Sequence, residues 1–125
     1  MPARLTIHIR ENDQWHHRPL STEIVHRAHA AGLAGATVVH GEEGYGVSQR
    51  IHTQRILSLG DDLPCLVIVI DTAERLRAFV ADIAELVARR LVTLEEVEVL
   101  ETGRPRPTGA AVEAADATAA RKERA

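Results

Sequence analysis

Lysine is nearly missing from this chain. Of its fifteen basic side chains only Lys122 is lysine, and the rest are arginine. Residues 1–100 therefore hold no lysine to form a Schiff base or to act as a point charge on a phosphate. Any anion recognised there must be met by arginine, histidine or backbone N–H groups. Aromatic residues are almost as scarce: Trp15, Tyr45 and Phe79 are the complete set. A base-stacking surface needs several aromatics beside positive charge, and a net charge of −3 supplies no general field for nucleic acid. Direct nucleic-acid binding is not expected. A single cysteine, Cys65, excludes an internal disulfide and a cysteine-rich metal site. It lies in an aliphatic run and reads as a small buried hydrophobe. No apolar stretch approaches the ~20 residues of a membrane span, and no apolar run of signal-peptide length follows Arg4. The expected location is the cytoplasm.

A length of 125 residues suits one domain, and the composition divides it. Residues 1–100 carry ten basic and fourteen acidic side chains, and residues 101–125 carry five and four. After Leu100 the one large aliphatic residue is Val112, among eight alanines, Pro105 and Pro107. Such a stretch buries too little apolar surface to offset the entropy of ordering it. The expected organisation is a domain over 1–100 and a flexible tail over 101–125.

Within 1–100 the hydrophobic pattern alternates between periods. Leu5, Ile7 and Ile9 alternate with polar residues, which predicts a strand with one buried face. Glu11–Gln14 is a polar turn. Pro19 opens a helix whose apolar positions are Leu20, Ile24 and Ala28, and Gly32 stops it. A second strand is expected over 36–41. Ser48–Leu59 holds an imperfect pattern for a short helix. Cys65–Ile70 is continuously aliphatic and predicts a central strand covered on both faces. Asp71 is placed to cap the next helix, with Glu74 completing a capping box. That helix buries Leu76, Phe79, Val80, Ile83, Leu86 and Val87 and ends near Arg89–Arg90. A last strand lies within Thr93–Leu100, with Val97 and Val99 inward. The order implies an α+β, ferredoxin-like βαββαβ sandwich: a four-stranded antiparallel sheet, two main helices, and a long loop between the second and third strands. The polar strand positions then face water or neighbouring subunits.

The chemistry-bearing residues are few. Gly41–Gly46 lacks both the Walker ending and the dinucleotide spacing, although a glycine turn can wrap an anion with backbone N–H groups. His16 and His17 are adjacent and point apart. His26 and His29 share a helix face but have no third ligand nearby, so no metal site is expected. His40 and His52 flank the loop. Ser48, Thr53 and Ser58 lie near His52 without the context of a nucleophile elbow. Glu42 and Glu43 read as solvated charge. Arg50, His52 and Arg55 form the most suggestive set, since arginine offers a rigid fork for phosphate or carboxylate.

Four stretches resemble the DUF190 family, which is related in fold to PII signalling proteins: AGLAGATV (Ala31–Val38), GEEGYGVSQRIHTQRIL (Gly41–Leu57), DLP (Asp62–Pro64) and LVTLEEVEVL (Leu91–Leu100). The resemblance spans approximately residues 3–100. It implies a ferredoxin-like core, a PII-like homotrimer, small-molecule binding in clefts between subunits with a nucleotide as the candidate effector, and a long signalling loop over 41–64. The loop would contact a regulated enzyme or membrane transporter. The residues that carry the resemblance there, and are taken as the ligand-binding set, are Gly44, Tyr45, Gly46, Arg50 and His52. No catalytic residue is assigned. Two other readings stand beside this one: an enzyme for a phosphorylated or carboxylated small molecule, using Glu42/Glu43, Arg50 and His52, and a constitutive oligomeric adaptor.

Overall fold

A computed structural model describes residues 1–46, 51–53 and 62–103. The chain runs through β1 (Pro2–Arg10), β2 (Gln14–Trp15), β3 (Arg18–Pro19), α1 (Leu20–Ala30), β4 (Ala36–His40), β5 (Glu43–Gly44), β6 (His52–Thr53), β7 (Pro64–Thr72), α2 (Ala73–Asp82), α3 (Ala84–Val87) and β8 (Val92–Glu96). The main sheet has the order β4-β7-β1-β8, antiparallel throughout. With helices packed on one side of it, this is the expected α+β, ferredoxin-like arrangement.

Period-two alternation decides what each strand buries. Ala3, Leu5, Ile7 and Ile9 of β1 and Cys65, Val67 and Val69 of β7 point to the helices and are buried. They meet Leu20, Ile24 and Ala28 of α1, Leu76 and Phe79 of α2, and Ile83, Leu86 and Val87 at and beyond its end. Among the described residues no helix lies on the opposite sheet face. There Ile68 of β7 lies between Thr6 and Thr37, and Leu66 lies between His8 and Val39. Val39 and Ile70 are each 41% exposed. The aliphatic run is therefore central within the sheet, yet covered on one face only, which corrects the expectation of two covered faces.

Several local expectations shift for physical reasons. The helix expected from Asp71 to Arg90 is two helices. Ile83 takes φ −104°, ψ 24° and breaks the ladder, while its side chain stays in the core. The cap of α2 is Thr72, whose hydroxyl accepts from the Arg75 N–H at 3.2 Å. No capping box with Glu74 forms, because Asp71 belongs to β7 and is committed elsewhere. Its buried carboxylate accepts from the Ala34 N–H at 3.0 Å and the Thr72 N–H at 2.7 Å, with the Arg75 guanidinium 3.7 Å away. Arg75 in turn donates to the carbonyls of Ala31 and Gly32 at the end of α1. One buried carboxylate and one arginine thus join the end of α1 to the start of α2. Gly32, at φ +73°, makes the stop there, as its position suggested.

The last strand is Val92–Glu96, so its inward residues are Val92 and Leu94, and Val97 and Val99 lie beyond it. The polar turn after β1 leads into a tight hairpin, β2–β3, with His16 and His17 at φ 48° and 69°. Positive φ at both central residues is the geometry of a two-residue hairpin turn that follows the twist of its strands. His52–Thr53 is extended, so a helix does not run through those two residues. The rest of the Ser48–Leu59 helix expectation, apart from Ile51, lies outside the described residues, as do residues 104–125.

Removing the Asp71 carboxylate leaves the half-buried Ala34 N–H without its partner and Arg75 without its counter-charge. Asp71→Ala is expected to lower unfolding free energy by about 2–3 kcal/mol, read from urea melts at one fixed protein concentration. A loss within about 0.5 kcal/mol, the range of ordinary surface substitutions, would contradict this role.

Candidate ligand site at the root of the 41–64 loop

The segment after β4 leaves the sheet as an arm whose described part is the β5–β6 pairing. Glu43 pairs with Thr53 and Gly44 with His52. Its two ends are tied together: the Gly41 N–H donates to the Pro64 carbonyl at 2.8 Å. Glycine is required by this closure. A Cβ on Gly44 would lie 2.7 Å from Cγ of Pro64, and one on Gly41 would lie 3.1 Å from the same atom. Two glycines therefore let the outgoing chain pass against the proline ring of the returning one.

Beyond this closure the arm presents apolar surface to solvent. Tyr45 is 65% and Ile51 62% exposed, and they follow and precede the Gly44–His52 pair. The structure thus brings Gly44, Tyr45 and Gly46 to one strand of the arm and the His52 backbone to the other. Arg50, like Ser48, Arg55 and Ser58, lies outside the described residues. Glu42 and Glu43 are exposed and have no partner among the described residues. His26 Nδ1 accepts from Arg18 Nη2 at 3.1 Å, a contact made with an arginine instead of a second ligand. Among the described residues no group of three or more His, Cys, Asp or Glu is placed to hold a metal ion.

The returning end of the arm is held by charge. Asp62 Oδ1 accepts from the Asn12 N–H at 2.9 Å, and Oδ2 lies 3.8 Å from Nη1 of Arg10. The Glu11 N–H donates to the Leu63 carbonyl at 2.9 Å. Next to this, Asp13 Oδ2 accepts from the Arg10 N–H at 2.9 Å and from Nε of Arg90 at 3.4 Å. Arg90 also donates to the carbonyls of Leu86 and Ala88, which fixes it at the end of α3. Two carboxylates and two arginines from three chain segments thus meet where the arm joins the sheet. Sequence reasoning missed this cluster. Asp13 and Asp62 read there as ordinary turn residues, and Arg90 as a helix-end charge. A usable signal was that each turn holds an acidic residue next to a strand whose last residue is Arg10 or whose first is Pro64.

Cys65 lies just inside this cluster, on the buried face of β7. Burial pushes its thiol pKa up, and the negative charges of Glu11 and Asp13 add to the effect. An unfolded-state thiol ionises near pH 8.5. Above that pH the unfolded chain has lost a proton that the folded one retains, so stability falls as pH rises. Unfolding free energy should therefore show a declining limb above about pH 8.5 that is flatter in Cys65→Ala; identical limbs would refute the assignment. For the arm, Gly44→Ala should speed hydrogen exchange at the Gly41 amide roughly tenfold or more, from the overpacking against Pro64. Adding Pro64→Ala should bring the rate back toward the original, and unaltered exchange in Gly44→Ala would contradict the packing role.

Comparison with known proteins agrees with this architecture. Residues 2–99 match the family model described as DUF190, Uncharacterized ACR. A UPF0166 protein of Aquifex aeolicus (strain VF5) is 33% identical over 96 residues, covering 77% of this chain and 90% of that protein. A second UPF0166 protein of the same organism is 28% identical over 79 residues, covering 63% and 82%. Among solved structures, CPII, a nitrogen regulatory PII-like protein from Thiomonas intermedia K12 bound to ADP, AMP and bicarbonate, superposes with a TM-score of 0.54 at 20% identity, covering 84% of this chain and 92% of that one. The divalent ion tolerance protein CutA1 from Ehrlichia chaffeensis gives 0.55 at 10% identity, covering 80% and 85%. With its sheet order, its arm and this match over nearly all of the described residues, the chain belongs to the DUF190/UPF0166 family and shares the fold of PII-like proteins.

Proposed function

We propose that this protein is a PII-like regulator that binds a small anionic molecule between subunits and signals through the 41–64 arm. The observation that carries the reading is the arm itself. It is a long excursion whose root is held by Arg10, Asp13, Asp62 and Arg90 and whose described part exposes Tyr45 and Ile51. A connection of this length inside a small domain favours function over passive linkage.

The ligand class follows from the charges available. With no lysine before residue 122, an anion is met by arginines and by the backbone of the glycine turn. Gly44, Tyr45, Gly46, Arg50 and His52 form the proposed ligand set, and a nucleotide is the leading effector. The fold likeness to CPII, whose structure holds ADP, AMP and bicarbonate, supports that choice. The root supplies the coupling. Arg10 lies 3.8 Å from Asp62, so an anion that attracts Arg10 competes with the carboxylate that holds the arm. A ligand shifts the arm only as far as its affinities for the two arm states differ.

The open sheet face supports the subunit arrangement. Leu66, Ile68, Ile70 and Val39 form an apolar strip without a covering helix. A homotrimer that faces these sheets inward would bury it. In this reading residues 1–100 are the regulatory domain, residues 101–125 are an extension outside it, and the arm addresses an enzyme or a membrane transporter. Binding, not turnover, is the activity.

Equilibrium dialysis of the assembled protein against ADP, AMP, ATP and bicarbonate tests this. At least one is expected to bind saturably, and Arg50→Ala to weaken it tenfold or more, roughly 1.4 kcal/mol. Absence of binding at millimolar ligand to a folded oligomer would overturn the reading. For assembly, Ile70→Asp should lower the sedimentation coefficient to that of a folded monomer, and a monomeric parent protein would contradict the trimer.

A further inference from the structure

Away from the arm, the helix side of the sheet holds a groove that the proposed function does not use. It lies between α2 and β8, has a volume of about 420 Å³, and is lined by Leu5, Leu76, Val80, Ala81, Val92 and Leu94, with Arg77 and Thr93 completing its wall. The fold explains why it exists. Helix α2 packs on β7 and β1, whereas β8 is the last strand of the sheet and projects past the helix. Leu94 then gives an apolar floor, with its nearly fully buried cross-strand neighbour Leu5 beneath it. Leu76 and Val80 stand one helical turn apart on one wall. On the outer ridge the residue one turn after Arg77 is Ala81, whose small exposed side chain leaves the groove unfilled.

The charge in this groove is also distinctive. Arg4, Arg10, Arg18, Arg27, Arg75 and Arg90 each pair with a carboxylate. Arg77 and Arg89 make no side-chain hydrogen bond or ion pair with any described residue, and of these two Arg77 lies in the groove, where it carries the one formal charge in the lining. A mainly apolar cleft of several hundred cubic ångströms with a few polar groups is the usual form of a small-molecule site, and here the polar residues of the lining are Arg77 and Thr93. A guanidinium offers a planar two-donor fork that matches a carboxylate.

We propose that the α2–β8 groove binds an amphipathic monocarboxylate, with its apolar body on Val80, Val92 and Leu94 and its carboxylate on Arg77. One guanidinium matches one monoanion. A phosphate dianion would call for further donors, and no second cation lines the groove. This inference is independent of the arm and of the nucleotide reading.

Octanoate is the probe, titrated into isotope-labelled protein in its native assembly and followed by amide chemical shifts. Saturable shifts are expected at Leu76–Ala81 and Val92–Leu94. The uncharged octanamide and the variant Arg77→Gln should each show affinity lower by tenfold or more. Ala81→Phe should fill the groove and abolish the shifts; both variants change exposed positions, so the fold is retained, as the unaffected remainder of the spectrum would show. Shifts absent from the groove, octanamide binding as tightly as octanoate, undiminished binding to Arg77→Gln, or a neighbouring subunit occupying the groove in the assembled protein would each overturn the proposal.

Discussion

The nine-residue antiparallel ladder between β1 and β7, from Pro2↔Thr72 to Arg10↔Pro64, is the constraint on which the rest depends. It sets the face of every apolar residue in both strands, since a slip of one residue would exchange the two faces. It also places two functional ends. At one, Asp71 is buried and holds the turn after α1. At the other, Arg10 and Pro64 are opposed, and the arm must leave and return there. The charge cluster at the arm's root is a consequence of that register, because Asp62 follows from Pro64 and Asp13 from Arg10.

The same ladder leaves one conflict unresolved within a single chain. A domain of about 100 residues buries a modest share of its surface, and here the helices cover only one side of the sheet. β7 nevertheless carries leucine and isoleucine on the uncovered side, where a water-facing strand would alternate with polar residues. Thr6, His8 and Thr37 dilute the strip without interrupting it. In the proposed homotrimer this strip would be buried between subunits.

Much of the fold was legible in sequence because it rests on period and composition. Leu5–Ile7–Ile9, Leu20–Ile24–Ala28 and Leu76–Phe79–Ile83 each announced the buried face they form. The errors arose where tertiary contacts override local pattern. Asp71 has the chemistry of a cap, but a half-buried N–H 37 residues earlier claims its carboxylate. Ile83 fits the helical period while its backbone breaks the helix. The run from Cys65 to Ile70 reads the same whether a helix or another subunit covers its second face. At the candidate site, the glycines were visible as a turn, but their purpose was not. It lies in contact with Pro64, about twenty residues onward. The Arg10–Asp13–Asp62–Arg90 cluster draws on three segments, and no spacing rule joins the three. The unpaired state of Arg77, shared with Arg89, likewise appears only once Arg4, Arg10, Arg18, Arg27, Arg75 and Arg90 have found their carboxylates.

The central claim is that ligand occupancy and arm conformation are coupled through the arm's root. Hydrogen–deuterium exchange on the native oligomer, with and without saturating ADP, tests it directly. The account predicts altered exchange in the backbone of residues 41–64 and at the Asn12 amide that donates to Asp62, with the β1–β7 ladder unchanged. Saturable ADP binding that leaves exchange in 41–64 and at Asn12 unaltered would contradict it.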